Sequence, residues 1–374
     1  MFFLKKISID WWIVASIIML MFFGSITMGS LSGDDGYLIK QSIWSLVAIC
    51  ILFITSKADV SFLKRPWIMF GLYIAANVVL FLVIMLGHTA KGATSWFQLG
   101  GISFQPSDLV KIVLILILAK YLSRRHVEFA NIRHLLITGL YTLIPCLLVF
   151  LQPDFGSAVI FGCIWFGMMM VSGLSKKHLL LLTAAGLIVG GVLWGFVFKP
   201  YQKARIMNFL NPLADVRGTG YNAYQSMIAV GSGQIIGKGV GFGTQSRLNF
   251  LPEYQTDFIF AAFAEEWGFV GSLIIIICYL IIFWRMLKLA WQGTTNFETL
   301  YAIGLVIYFA SHVIINMGMN IGILPVTGIT LPFMSYGGSH LIAECLALGI
   351  LFSLLKNRRT VHRDDVRYEF LGLS

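Results

Sequence analysis

Charged side chains are scarce in this chain. Only 12% of its 374 residues are Asp, Glu, Lys or Arg, whereas 58% are hydrophobic, and the mean hydropathy is +0.83. Soluble globular domains carry about 25% charged residues, so this composition excludes a soluble protein. Apolar runs of about 20 residues recur along the sequence, and each is long enough to cross a bilayer as a helix. We therefore expect an integral membrane protein.

Several kinds of site are also missing. No His, Cys or Asp cluster has the spacing of a metal site, and no phosphate-binding loop occurs. The first apolar run lacks a small-residue cleavage site after it, so we expect it to be a retained helix and not a signal peptide. The five cysteines all lie in apolar runs without metal-ligand spacing, and we expect buried free thiols at Cys50, Cys146, Cys163, Cys278 and Cys345.

The apolar runs predict an all-α membrane protein with about ten transmembrane helices. The only long interval without such a run is 199–257, which predicts a large extracytoplasmic loop between helices 7 and 8. We expect residues 1–374 to form a single polytopic domain. The predicted helices lie near residues 11–31, 38–56, 67–87, 108–122, 135–151, 156–173, 179–198, 258–284, 299–320 and 339–356.

The basic residues indicate the orientation in the membrane. With both termini placed in the cytoplasm, 18 of the 27 Lys and Arg residues fall on the cytoplasmic side and seven fall outside. Six of those seven lie in the long loop, where the positive-inside rule has little force. The pattern predicts a multi-pass protein of the cytoplasmic (inner) membrane. It also explains the net charge of +10 by contacts with membrane lipids, without nucleic acid.

Polar insertions cluster on the predicted outer side, in residues 87–107, 152–156, 199–257 and 320–338. The last of these is too interrupted by Gly and Pro for a plain helix and too apolar for an exposed loop. Irregular backbone at membrane depth is tolerated only against protein or a water-filled cavity. We therefore expect the four outer segments to converge on one cavity.

Ionisable residues in or beside apolar helices are functional candidates, because they are costly to place there. Asp257 lies where the long loop meets the eighth predicted helix; the alternative is that it only caps that helix. Asp108 and Lys111 lie three residues apart, on one helix face. They either form a self-contained ion pair or line the cavity. We expect a structural role for one of Glu265 and Glu266, and contacts with neighbouring helices for Glu344 and His312.

The chain carries several motifs, in order along nearly its whole length, by which it resembles the SEDS family of cell-wall polymerases. Gly243-Thr-Gln-Ser246 favours the rod-shape branch over the division branch. The other carriers are Gly92-Ala93 with Trp96, Phe104-Gln-Pro-Ser-Asp-Leu-Val-Lys111, Gln152-Pro-Asp154, Ala204-Arg-Ile with Phe209-Leu-Asn-Pro212, Gly220-Tyr221 with Gln225-Ser226, Gly231-Ser-Gly233, Leu251-Pro-Glu253, Thr256-Asp-Phe-Ile-Phe260, Glu265-Glu266 with Gly268, and Pro332-Phe-Met-Ser-Tyr-Gly-Gly338.

The resemblance implies a peptidoglycan glycosyltransferase that polymerises lipid II at the outer face of the membrane, together with a class B penicillin-binding protein as its transpeptidase partner. It implies two catalytic residues, the family's essential acid at Asp257 and its lysine at Lys111. Within the matching motifs and the long loop, the substrate-binding candidates are Asp108, Asp154, Arg205, Gln225, Ser226, Lys238, Glu253 and Ser335.

The chain departs from the family pattern at three positions. Gln255 stands where many members have His, and it cannot titrate, so no proton relay is assigned to it. Ser95 stands where many have Arg before the Trp of that segment. Asp108 replaces the usual Glu and is one methylene shorter. None of these changes removes the acid expected to act as base.

The implied reaction converts an α-linked diphosphate into a β-linked polymer, so a single in-line displacement with inversion suffices. It needs a base for the acceptor hydroxyl, for which we expect Asp257. It also needs positive charge at the departing diphosphate, from Lys111, Arg205 or a divalent cation such as Mg or Mn. Two other functions stay open, a lipid flippase or transporter and a non-catalytic scaffold of the elongation complex.

Overall fold

The structure, a computed structural model, describes residues 9–32, 36–90, 93–99, 102–123, 132–211, 215, 218, 220–248 and 250–356. Helices dominate it. Their bounds are α1 Trp11–Ser32, α2 Gly36–Lys57, α3 Pro66–Leu86, α4 Pro106–Ser123, α5 Ile132–Leu151, α6 Phe155–Val171, α7 Lys176–Val192 (continued by a π turn, Leu193–Val197), α8 Pro200–Leu210, α9 Tyr221–Ser232, α10 Thr244–Arg247, α11 Ile259–Trp291, α12 Asn296–Asn320 and α13 Gly338–Lys356.

Each of the ten predicted apolar runs lies largely within one of these helices, which confirms the helical membrane-protein class. Eight helical stretches in the described part of the chain are long and apolar enough to cross a membrane. The other two are α4, which has 18 residues and carries three charges, and α6, which has 17. The number of ten crossings therefore stays a prediction.

Two of the polar insertions contain regular structure. A three-stranded antiparallel sheet is formed by β1 His88–Ala90, β2 Ala93–Leu99 and β3 Ile102–Phe104. Aromatic and β-branched residues favour strands, and the pairing satisfies backbone groups beside the membrane. The 199–257 interval holds α8, α9 and α10, so it is a helical insertion. Its extracytoplasmic location stays a prediction.

Local sequence explains several helix ends. Asp154 accepts a hydrogen bond from the backbone N–H of Ser157 at 3.0 Å and caps α6. Because α5 ends at Leu151 and α6 begins at Phe155, residues 152–154 form a short turn between the two helices. Thr295 caps α12 by accepting from the backbone N–H of Glu298 at 3.4 Å. Such caps satisfy backbone donors that a helix leaves without partners at its first turn.

The core of the protein lies around α11, α12, α4 and α13. Most residues of α13 are buried inside the protein, whereas no residue of α7 is buried. Asp108 and Lys111 on α4 and Glu344 on α13 therefore face protein. All five cysteines are free thiols, but only Cys278 and Cys345 are buried and Cys50 is exposed. The expectation of five buried thiols was wrong at Cys50, because α2 turns much of its surface outward, and Cys146 and Cys163 are only half-buried.

Helix α11 is interrupted at Gly268, whose φ of +65° and ψ of −161° are not helical. Residues 234–239 lie against the break and bond to its backbone. Lys238 N–H donates to Glu265 O at 3.0 Å, and Phe269 N–H donates to Gln234 O at 2.9 Å. A Cβ at position 268 would lie 2.3 Å from the nitrogen of Gly237. Only glycine fits this conformation and this contact.

Candidate functional site

Asp257 lies in an irregular turn, residues 251–258, that leads into α11. The helix begins at Ile259 with Phe258 at the cap position and no side-chain capping bond. Asp257 therefore lies one residue before the cap position of α11. Its backbone carbonyl accepts from the amides of Asn316 at 2.9 Å and Asn320 at 3.1 Å, both near the end of α12. We call residues 251–258 the Asp257 turn.

The connection between α12 and α13, residues 321–337, holds this turn on its other side. We call it the outer segment. The Ser335 hydroxyl donates to Thr256 O at 2.7 Å, and Tyr336 N–H donates to Gln255 O at 2.8 Å. Gly328 has a φ of +76°, and a Cβ there would lie 3.5 Å from Oδ2 of Asp257. The carboxylate therefore lies beside the backbone of the outer segment.

The predicted outer segments do come together. The Gln105 side chain, just before α4, donates to Asp154 Oδ2 at 3.0 Å, and its backbone N–H donates to Ser339 Oγ at 3.1 Å. A Cβ on Gly156 would lie 2.7 Å from Thr327 O. These contacts join the start of α4, residues 152–156 and the outer segment. The outer segment also bonds to the Asp257 turn.

Near the outer segment lies a chain of four ionisable side chains, which we call the buried charge cluster. Lys111 Nζ lies 3.0 Å from Asp108 Oδ1, and His340 Nδ1 lies 3.3 Å from Asp108 Oδ2. His340 Nε2 lies 2.9 Å from Glu344 Oε1. The two contacts of His340 are ion pairs when the imidazole is protonated, and their angles fall short of ideal hydrogen bonds. All four side chains are at most 7% exposed.

This arrangement changes the expectation for Lys111. Its side chain is only 2% exposed and its ammonium donates to Asp108, so it does not face an open cavity in this structure. His340 is a member of the cluster that the sequence analysis missed. The signal was available, since His340 and Glu344 lie four residues apart and so share one helix face. Glu344 was expected to bond to a neighbouring helix, but it pairs with its own helix and with the outer segment.

Arg205 is an exposed residue of α8 whose Nη1 lies 3.5 Å from Val326 O. With residues of α9, α12 and the outer segment it lines a cavity of about 30 Å³. Val326 is two residues before Gly328, which lies beside Asp257. Arg205 and Asp257 thus flank the same short stretch of the outer segment.

Three other substrate-binding candidates are used within the protein. The Ser226 hydroxyl is fully buried and donates to Asn320 at 2.9 Å. Ser335 is 1% exposed and bonds to the Asp257 turn. Asp154 caps α6 and accepts from Gln105. The two serine hydroxyls support the site and are not presented to a ligand, whereas Asp154 is half-buried. Gln225 is half-buried on α9.

Lys238 pairs with Glu265, with 2.7 Å between Nζ and Oε1. Glu265 is fully buried and also accepts from Thr244 Oγ1 and Gln245 N, both at 3.1 Å. The neighbouring Glu266 accepts from Gly241 N at 2.6 Å. Both glutamates therefore anchor the chain that follows α9, and Lys238 neutralises one of them instead of reaching toward a ligand.

Two further groups in the Asp257 turn bear on the choice of base. Glu253 has a φ of +57°, and its carboxylate accepts from Thr256 Oγ1 at 3.1 Å. Burial raises the pKa of Tyr254 above its ordinary value, so this phenol stays protonated near neutral pH. Among the described residues, no group of three or more His, Cys, Asp or Glu side chains could hold a metal ion.

Known proteins resemble this chain over almost its full length. Residues 4–360 match the family described as cell cycle protein, FtsW/RodA/SpoVE. The chain is 35% identical to peptidoglycan glycosyltransferase MrdB of Escherichia coli (strain K12) over 364 residues, which cover 96% of this chain and 97% of that protein.

Solved structures agree. One chain from work on polymerization and crosslinking by a peptidoglycan synthase complex superposes with a TM-score of 0.81 at 31% identity, covering 96% of this chain and all of that one. The rod shape determining protein RodA of Thermus thermophilus gives a TM-score of 0.71 at 28% identity, covering 96% and 99%. With its helical fold, its ordered motifs and a family match over nearly every residue, the chain belongs to the FtsW/RodA/SpoVE family of cell cycle proteins.

Proposed function

We propose that this protein is a peptidoglycan glycosyltransferase that polymerises lipid II at the outer face of the cytoplasmic membrane. Relatives that match it over nearly the whole chain carry the name peptidoglycan glycosyltransferase. The long 199–257 interval and the Asp257 turn lie outside, and both termini lie in the cytoplasm. The charge distribution of the sequence supports this orientation.

The observation that carries the proposal is the way the Asp257 turn is held. Its backbone is fixed from two directions, by Asn316 and Asn320 of α12 and by Ser335 and Tyr336 of the outer segment. A base must be held close to its productive geometry, because small misplacements are costly in rate. A carboxylate on a turn with four backbone anchors meets this requirement.

The reaction assigns one step to Asp257. Its carboxylate accepts the proton of the acceptor sugar's 4-hydroxyl as that oxygen attacks the anomeric carbon of the donor. The bond from that carbon to the diphosphate oxygen breaks on the opposite face, and the lipid diphosphate leaves with the bonding electron pair. The α-linkage becomes a β-linkage in one displacement. A positioned base of this kind contributes about 10²–10⁴-fold in rate.

The departing diphosphate needs positive charge, and Arg205 is the candidate that the geometry favours. Its guanidinium is exposed and contacts the outer segment two residues from Gly328. Planar guanidinium groups bind phosphate oxygens in pairs. Lys111 is buried and acts through Asp108, by holding the charge balance of the cluster near the site.

The partner we propose is a class B penicillin-binding protein that cross-links the product. The similarity to a chain of a peptidoglycan synthase complex supports a partner enzyme of this kind. Membrane lipids surround the helices, and lipid II is itself drawn from that bilayer.

The test is polymerisation of purified lipid II by the detergent-solubilised protein, with and without its transpeptidase partner. We expect glycan strands, separated by length on a gel. A flippase would move lipid II across proteoliposome membranes without making strands. A scaffold would bind the partner and do neither. Either of those results, with folded protein and an active partner, would overturn the proposal.

A further inference from the structure

We propose that His340 and Glu344 are a positioning pair. They fix the position of the Asp257 turn relative to α4, the helix that carries Lys111. This inference rests on the proposed function, since it concerns the placement of the base. It assigns a role to two residues of α13 that the reaction itself does not use.

The first step is the link from Glu344 to the outer segment. Glu344 Oε2 accepts from the backbone N–H of Phe333 at 2.9 Å. Phe333 has a φ of +60°, which is rare for a residue other than glycine and persists only where the surroundings fix it. Its ring packs against Phe309 with centroids 5.2 Å apart. The carboxylate and this ring contact together hold Phe333 in its unusual conformation.

The second step runs from Phe333 to the Asp257 turn. Two residues after Phe333, Ser335 donates to Thr256 O at 2.7 Å and accepts from Leu331 N–H at 2.8 Å. Thr256 is bonded directly to Asp257 in the chain. A change of the Phe333 backbone would therefore move the groups that anchor the base.

The third step joins Glu344 to α4. His340 lies between two carboxylates, with Nε2 2.9 Å from Glu344 and Nδ1 3.3 Å from Asp108. Asp108 also contacts Lys111 at 3.0 Å. Signs alternate along this chain when the imidazole is charged, so attraction holds each neighbour. Helix α12 adds a parallel contact, since Nδ1 of His312 lies 3.2 Å from Thr330 O of the outer segment.

The test separates positioning from stability by keeping volume and charge balance. The variant His340→Leu/Glu344→Met replaces the pair with apolar side chains, which is often neutral or stabilising in a buried site. It leaves Asp108 paired with Lys111 but removes the acceptor for Phe333 N–H. The variant His340→Gln/Glu344→Gln keeps an acceptor at position 344 and is also charge-balanced.

The matched control is Lys64→Met/Glu298→Met at the other end of the bundle. Glu298 is 1% exposed, pairs with Lys64 at 3.0 Å and accepts from the backbone N–H of Thr294 at 3.1 Å. It therefore combines burial, an ion pair and a backbone bond as Glu344 does, far along the chain from the Asp257 turn.

We expect His340→Leu/Glu344→Met to lower kcat for lipid II polymerisation by about 10- to 100-fold per folded molecule, with KM changed less than about 3-fold. The Gln pair should recover activity to within about 3-fold of wild type, and the control should stay near wild type. Amide exchange measured by mass spectrometry should rise in residues 253–258 and 331–336 only in the Leu/Met variant.

Wild-type kcat and unchanged exchange in the Leu/Met variant would overturn the positioning role. So would a Gln pair that folds but is as inactive as the Leu/Met variant, because the acceptor would then not matter. If the wild-type protein makes no glycan, the proposed function fails, yet the exchange comparison still decides whether the pair holds the Asp257 turn.

Discussion

At the scale of single residues, most polar groups near the Asp257 turn are bonded to other parts of the protein. The side chains of Asn316, Asn320 and Ser335 all bind backbone carbonyls of the Asp257 turn or the outer segment. Such bonds matter here because a buried polar group without a partner is costly. The residues that surround Asp257 thus fix the backbone of its turn.

Ser226 tests whether a candidate binds substrate or supports the fold. Because its buried hydroxyl bonds to Asn320, Ser226→Ala should lower the free energy of unfolding by about 1 kcal/mol. Polymerisation per folded molecule should not change. Thermal unfolding in detergent and the lipid II assay measure the two effects. Thr183→Ala is the control, since that exposed hydroxyl bonds only within its own helix. An inactive Ser226→Ala protein of wild-type stability would return Ser226 to the substrate site.

Lys111 requires a charge-balanced comparison. Lys111→Met alone leaves Asp108 with one fewer partner in a buried site, and breaking such a pair costs about 3–5 kcal/mol. The double variant Asp108→Asn/Lys111→Met keeps the remaining His340–Glu344 pair balanced, so it should recover most of the lost stability. We expect it to recover most of the activity as well, because Lys111 acts by balancing the charge of Asp108. The assay is glycan formation per folded molecule, and an inactive double variant of near wild-type stability would show that the site needs the ammonium itself.

At the scale of elements, the break in α11 fastens the 199–257 insertion to the helical bundle. Residues 234–239 replace helical partners on both sides of Gly268. Gly268→Ala should therefore destabilise the protein by about 2–6 kcal/mol, from backbone strain and from overpacking against Gly237. Gly186→Ala in α7 is the control, because nothing lies within 4 Å of a Cβ there. Unfolding temperatures of the two variants give the comparison, and equal values would contradict this role for the break.

The sequence predicted some of the secondary-structure elements and missed others. Long apolar runs predicted the helices well because length and hydropathy decide membrane insertion. The β1–β2–β3 sheet was missed because its strands are short and lie in a polar stretch. The break at Gly268 was missed because it depends on a partner segment some 30 residues earlier in the chain.

The same limit applies to the site. Asp257 could be found from its place between a polar interval and an apolar run, and from the family motif. The partners of Lys111 could not, since His340 joins Asp108 only when α4 and α13 pack together. The ion pair between Lys238 and Glu265 could not be predicted either, because it depends on the fold of the chain between α9 and α11.

At the scale of the whole molecule, the proposed orientation places the Asp257 turn outside the cell. In a background without the five native cysteines, a cysteine introduced at Gly218 should react with a membrane-impermeant reagent in intact spheroplasts. A cysteine at Ser175, between α6 and α7, should react only after permeabilisation. Gel-shift labelling measures both. The opposite pattern would reverse the topology and put the proposed base on the wrong face for extracytoplasmic polymerisation.

The central claim is that this membrane protein forms glycan with Asp257 as its base. The most direct measurement is glycan formation per folded molecule by Asp257→Asn, with partner binding checked in the same preparation. The amide keeps the shape of the carboxylate, and the backbone carbonyl held by Asn316 and Asn320 is unchanged, so the variant should fold and bind its partner. We predict a rate at least about 10²-fold below wild type. A rate within a few-fold of wild type would contradict the account and direct the search for the base to Glu253 or Asp154.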